Sequence, residues 1–232
     1  ALHATGGATD KFLSSCLDDS SEHVRCWAIQ FLTEAADPGP GVLAKLQSMA
    51  KDDESGLVLT WLASALQRLR DEDRWPIAQA LAGHEEYATD RVLPLMVWYG
   101  VEPAVLAHRN QAIKMVLSCR FPIVREYIAR RITLEIERQP EVIARLLHGL
   151  TNADAEALIV VDVLRGMAEA LRGWRKATPV KGWNAFSVAN ADNGIAEVRR
   201  LNRELSLVFG DGRALDEIRN IAADGGSELS ER

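Results

Sequence analysis

The chain has 232 residues, 47% of them hydrophobic and 26% charged, with a formal net charge of −6. That is enough apolar material for one large core or a continuous stacked one. The acidic balance argues against a general nucleic-acid binder and against a surface drawn to anionic lipid, because both need a dominant basic face. No apolar run is long enough to cross a bilayer; 95–99 and 157–161 are five residues each.

Apolar residues recur at helical spacing along the chain, and no useful length alternates with the two-residue period of a half-buried strand, so the fold class reads as all-α. In chain order, a helix over 8–17 pairs with one over 22–36, and Asp37-Pro38-Gly39-Pro40-Gly41 then breaks the chain. Helices over 42–51 and 56–70 make the second pair. Those over 75–83 and 91–106 make the third, with Pro94 tolerable in a first turn. The fourth pair is 111–120 with 123–138, and the fifth is 141–150 with 154–174. An irregular loop over 175–193 then interrupts the pattern before a helix over 195–209. Residues 212–223 read as a further helix and 224–228 as a turn, while Ala1 to Gly7 reads as a helix end with its glycine stop. There is no initiator Met and no export signal at the start. The expectation is one repeat domain, 1–232, cut from a longer chain.

The pairs share a period. Val24-Arg25-Cys26-Trp27-Ala28 is echoed at Val58-Leu59-Thr60-Trp61-Leu62, at Val92-Leu93-Pro94-Leu95-Met96 and at Val124-Arg125-Glu126-Tyr127-Ile128, in steps of 34, 34 and 32 residues. A fixed period in this range is the mark of stacked helical hairpins. Val24, Ala28 and Leu32 fall at i, i+4 and i+8, and the small Ala28, like Ala63 in the second copy, lets a partner helix approach. Asp18 to Ser21 and Asp52 to Ser55 offer oxygens where the second helix of a pair begins. An acidic start followed by Val-Arg and this spacing resembles the inner helix of HEAT-like repeats. The resemblance implies an α-α superhelix of about six hairpins, with Arg25 pairing to the acidic start of a neighbouring unit.

Catalytic constellations do not turn up. Cys16, Cys26 and Cys119 form neither CxxC nor CxxCH, which excludes a zinc ribbon, a redox pair and covalent haem attachment in this segment. Cys16 and Cys26 stand on neighbouring helices, where they are either small buried side chains or, in an exported protein, a disulfide. The five histidines lack i, i+4 partners, and His84-Glu85-Glu86-Tyr87-Ala88 begins like a zincin motif but has Ala where the second His belongs. Acidic pairs such as Asp18-Asp19 and Glu85-Glu86 sit at turns, where they favour the positive ends of helices. Catalytic, cofactor and metal residues are therefore expected to be none.

Two stretches stand out. Leu95 to Pro103 is apolar and aromatic with hardly any polar face; it is either a helix buried on both sides or a patch for another domain made by Trp98, Tyr99 and Glu102. Arg172 to Trp183 interleaves basic residues with two tryptophans. Trp174, Arg175 and Trp183 either stack on a ligand or wedge the loop between helices.

Leu57 to Leu69, Arg74 to Ala78, Leu93 to Pro103, Arg172-Gly173-Trp174-Arg175, Gly182-Trp183 and Phe209-Gly210-Asp211-Gly212 together resemble the HEAT-like segment of planctomycete-type membrane-bound dehydrogenases that end in a c-type haem (CxxCH) motif. That resemblance implies an exported or periplasmic parent: a β-propeller dehydrogenase, this helical array, then a cytochrome c domain that holds the haem. For this segment it implies a non-catalytic scaffold, with no cofactor of its own, whose partners are neighbouring domains of the same polypeptide or another protein. An autonomous HEAT-like module for a protein or glycan is the alternative. An alkylpurine-DNA-glycosylase-like enzyme would need a basic groove, which the acidic balance disfavours; neither nucleic acid nor a membrane span is expected.

Overall fold

A computed structural model describes residues 7–34, 37–152 and 156–210. Among these the chain is all-helical, with no strand. The expected helix over 212–223, the turn after it and the helix end over 1–6 lie outside the described residues. By contact the chain divides into two compact units: residues 1–111 with 118–124, and residues 112–117 with 125–232.

In the first unit the helices are α1 (Asp10–Cys16), α2 (Glu22–Leu32), α3 (Pro40–Asp52), α4 (Gly56–Ala65), α5 (Asp71–Leu81) and α6 (Leu93–Val101). Helix α2 lies beside α4 and α4 beside α6, while α3 lies beside α5. Side-chain oxygens cap the starts of α1, α4 and α6: Thr9 accepts from the Phe12 amide, Ser55 from Val58, and Asp90 from Val92 and Leu93. Helix α5 begins at Asp71, four residues before the 75–83 expected, because Asp71, Glu72 and Asp73 suit the positive end of a helix; Pro76 is carried inside it on an exposed position. Small residues bring the helices close. Ala28 and Ala63 are fully buried, and a Cβ placed on Gly100 would stand 2.5 Å from the Leu66 Cβ.

A charged latch ties α2 to the start of α4. Arg25 donates through Nε and Nη2 to the two Asp53 carboxylate oxygens, each at 2.9 Å, and through Nη1 to the carbonyls of Asp19 and Ser20. The same Asp53 accepts from the Ser55 amide, as Asp19 accepts from the Ser21 amide. This is the pairing the HEAT-like pattern implied for Arg25. The Ser55 hydroxyl donates to Glu22, a second link between the two helix starts.

The second unit contains parts of α7 (Arg109–Ser118) and α8 (Pro122–Thr133), then α9 (Pro140–Asn152), α10 (Ala157–Ala170), α11 (Trp183–Ala189) and α12 (Ala196–Val208). Helix α10 packs on α12, and α11 packs on both α9 and α12. Gly166 lets α10 touch the backbone of α8: a Cβ there would stand 2.2 Å from the Glu126 carbonyl oxygen. Beside this contact Arg125 Nε donates to Asp162 at 2.8 Å, with both side chains buried, and Arg165 pairs with Glu197. Burial pushes the carboxyls of Asp162 and Glu126 above their ordinary range, against the pull of the neighbouring arginines. The 175–193 stretch is not wholly irregular, since α11 forms within it. Turn residues on both sides, Pro179 and Gly182 before it and 190–194 after it, make it read as loop, and Gly182 (φ 87°) makes the left-handed turn that starts the helix.

Two measurements check this packing. Gly166→Ala should lower stability by about 2 kcal/mol or more because rigid backbone must move; Gly41→Ala, with nothing within 4 Å of its Cβ, should raise it by several tenths of a kcal/mol. Urea unfolding followed by circular dichroism reads both. In the same assay Arg125→Met or Asp162→Leu alone should cost about 3–5 kcal/mol, whereas the double variant recovers much of that loss.

Candidate interaction surface

Three neighbouring helices of the first unit leave apolar side chains in water. On α2, Val24, Trp27 and Phe31 stand at i, i+3 and i+7; on α4, Leu57 and Trp61 stand at i and i+4. Trp27 stacks on Phe31 and meets Trp61 edge-on, both with ring centroids 5.4 Å apart, so the two stripes are continuous. The 34-residue step that carries Trp27 to Trp61 also carries Leu66 to Gly100, and that pair is in contact. Helix α6 packs on α4, but it does not repeat the α4 pattern of exposure: Val92 and Tyr99 are exposed, whereas Val58 and Ala65, 34 residues earlier, are buried. Val92 and Tyr99 thus add exposed apolar side chains on the neighbouring helix, with Leu95 half-buried between them. Of the six large apolar residues exposed in the first unit among the described residues, five lie here: Val24, Trp27, Leu57, Val92 and Tyr99. Trp27 and Tyr99 are each 54% exposed.

A carboxylate flanks each of these helices: Glu34 follows α2, Glu54 precedes α4 and Glu102 follows α6. Glu34 and Glu54 are exposed. Two arginines lie among these helices: Arg25 pairs with Asp53, and Arg68 donates to the Thr33 hydroxyl and is attracted by Glu34, while burial lowers its guanidinium below the usual range. At the start of α6 the amides of Leu93 and Val92 hold the Asp90 carboxyl below the usual carboxylate range, so Asp90 is ionised at neutral pH.

The residues singled out from sequence are divided by the structure. Tyr99 lies on this face, with Trp98 and Glu102 half-buried beside it. Helix α6 is not buried on both sides, although Leu93, Val97 and Val101 face the core. Trp174 is 41% exposed and Arg175 is exposed, but Trp183 is only 2% exposed. The Trp183 indole donates to the Ser206 hydroxyl at 3.0 Å, and its ring meets Phe209 edge-on at 4.8 Å. Trp174 and Trp183 thus form no common platform. Trp27, Trp61, Val24 and Leu57 were missed as surface residues. The signal was available in the repeated tryptophan, 34 residues apart at the same place in two helices.

Elsewhere a groove of about 550 Å³ runs between α9 and α11, with Leu147, Ala185 and Phe186 along it and Arg145, His148 and Lys181 at its rim. Among the described residues no group of three or more His, Cys, Asp or Glu side chains is placed to hold a metal ion, and no helix is long and apolar enough to cross a membrane. The three cysteines are free thiols and do not fit a covalent haem site: they are far apart in sequence, two are buried, and burial pushes the Cys26 thiol up to about 11.

The 175–193 stretch is held partly by Glu137, whose carboxylate accepts from the Thr178 amide at 2.9 Å and from its hydroxyl at 2.8 Å. These bonds lower the Glu137 carboxyl from its ordinary 4.5, so the stability they add is present above that pH and is lost as pH falls through the lower folded value. The stability gap between the wild type and Glu137→Ala should therefore be open at neutral pH and close below the ordinary value, as read by urea midpoints across an acid series. Comparison with protein-family models, with curated proteins and with solved structures found no match for this chain.

Proposed function

We propose that the chain is a non-catalytic interaction scaffold built from HEAT-like helical hairpins, and that it binds through the face of α2, α4 and α6. One observation carries the reading: five exposed large apolar residues converge on three adjacent helices, joined by ring contacts between Trp27, Phe31 and Trp61. Leaving such a face in water costs about 25 cal/mol per Å² of apolar area, and contiguous patches of this kind mark contact sites. The side-by-side placement of α2, α4 and α6 at a 34-residue step supports the repeat part of the proposal. The sequence resemblance supports its setting, an exported polypeptide that joins a propeller dehydrogenase to a cytochrome c, with this array between the oxidising domain and its haem-bearing electron acceptor.

Hydroxyl-radical footprinting tests the scaffold reading. The complete gene product in its native extract is compared with the purified 232-residue chain. Trp27 and Tyr99 should oxidise about tenfold more slowly in the extract, with Trp174 as an internal reference. Equal oxidation of Trp27 and Tyr99 in both would sink the reading. An upstream export signal and a downstream CxxCH in the reading frame would establish the redox setting, and their absence would remove it.

A further inference from the structure

We infer that the occupant of the α2–α4–α6 face is a cationic amphipathic segment of a partner protein, apolar along one side and lined with Lys or Arg on the other. The inference rests on the reading of this face as an interaction surface and adds the chemistry of what it holds.

Charge decides among the occupants. The first unit carries sixteen Asp and Glu against ten Lys and Arg, a net −6, whereas the second unit has seventeen of each and is neutral. The whole charge imbalance of the chain therefore belongs to the unit with the exposed face. Eight of the sixteen precede α2, α4 and α6: Asp18 and Asp19, then Asp52, Asp53 and Glu54, then Glu85, Glu86 and Asp90, of which Asp53 is taken by Arg25 and Asp18 by Lys45, while Asp71, Glu72 and Asp73 open α5. Glu34 and Glu54 are exposed at the ends of α2 and α4, and Glu102 is half-buried just after α6. A second copy of the chain would bring two like-charged faces together, and an anionic membrane would be repelled in the same way. A neutral sugar could stack on Trp27 and gains nothing from the carboxylates. A segment with apolar and cationic sides satisfies both halves of the face. Its apolar side chains fill the relief between Val24, Leu57 and Trp61, and its cations reach the carboxylates or lie on the exposed indole of Trp27.

The test uses the purified chain and defined probes. A fluorescein-labelled amphipathic helix of Leu and Lys, its Leu/Glu counterpart and cellohexaose are each titrated, with fluorescence anisotropy for the peptides and intrinsic tryptophan quenching for the sugar. The Leu/Lys peptide should bind at least about tenfold more tightly than the Leu/Glu peptide, and weaken as salt rises from about 50 to about 300 mM. Trp27→Ser, Tyr99→Ser and Glu54→Lys should each weaken it by about tenfold while melting within a few degrees of the wild type. No binding, equal binding of the two peptides, or binding untouched by Trp27→Ser and Tyr99→Ser overturns the inference. So does tight binding of cellohexaose in place of the peptide, or a dimer in sedimentation that Trp27→Ser dissolves. Protection of Trp27 and Tyr99 in the native extract is a separate readout: if it is seen and the peptides fail, the interaction face stands and only its cationic occupant is removed.

Discussion

Close approach of helices at small side chains is the constraint from which the other features follow. Ala28 and Ala63 occupy the buried middles of α2 and α4, Gly100 touches Leu66, and Gly166 rests on the backbone of α8. Packing at that distance maximises dispersion contacts along each helix. The small residues make room for large ones opposite them, as Gly100 does for Leu66, so that Ile29, Leu59, Leu62 and Leu66 fill the core between the helices. The sides of α2, α4 and α6 that no helix covers keep Trp27, Leu57 and Tyr99 in water.

Polar groups then hold the arrangement in register, because hydrophobic contact alone is tolerant of sliding. Arg25 reaches the start of α4 with a two-pronged pair to Asp53, and its third nitrogen satisfies carbonyls at the start of its own helix. In the second unit Arg125, Asp162, Arg165 and Glu197 link α8, α10 and α12. The buried members of this ladder add little net stability, since desolvation offsets their attraction. Their contribution is to penalise any helix shift that would leave a charge buried alone. Trp183 serves the same end in a neutral form, with its ring in the core and its N–H on Ser206.

Those positions set where aromatic side chains are exposed and where they are buried. The basic stretch from Arg172 to Lys181 carries many charges, yet its anchoring tryptophan, Trp183, is spent on the interior. The first unit instead keeps Trp27 and Tyr99 in water within an acidic surround. An aromatic side chain held by a rigid helix loses little entropy on contact, which is why such residues dominate binding surfaces. The acidic turns do double duty, since oxygens that cap a helix also give the face its charge.

The pairing of Arg25 with an acidic helix start came from the HEAT-like resemblance, while the residues by themselves were enough to establish that the chain is helical and roughly where most helices run. These follow from local physics: apolar spacing selects the helix, and oxygens at Ser55 and Asp90 stop it from beginning elsewhere. It also marked Tyr99, because a helix with almost no polar face has to expose something apolar. Tertiary structure alone decided which sides are covered. Val24 shares a helical stripe with Ala28 and Leu32, yet it is exposed while Cys26 and Ile29 are buried, because periodicity defines a stripe without saying where the neighbouring helix sits. The same gap separates Trp27, exposed, from Trp183, buried. Short α11 reads as loop because turn residues flank it, Pro179 and Gly182 before it and 190–194 after it, and it is held by packing on α9 and α12.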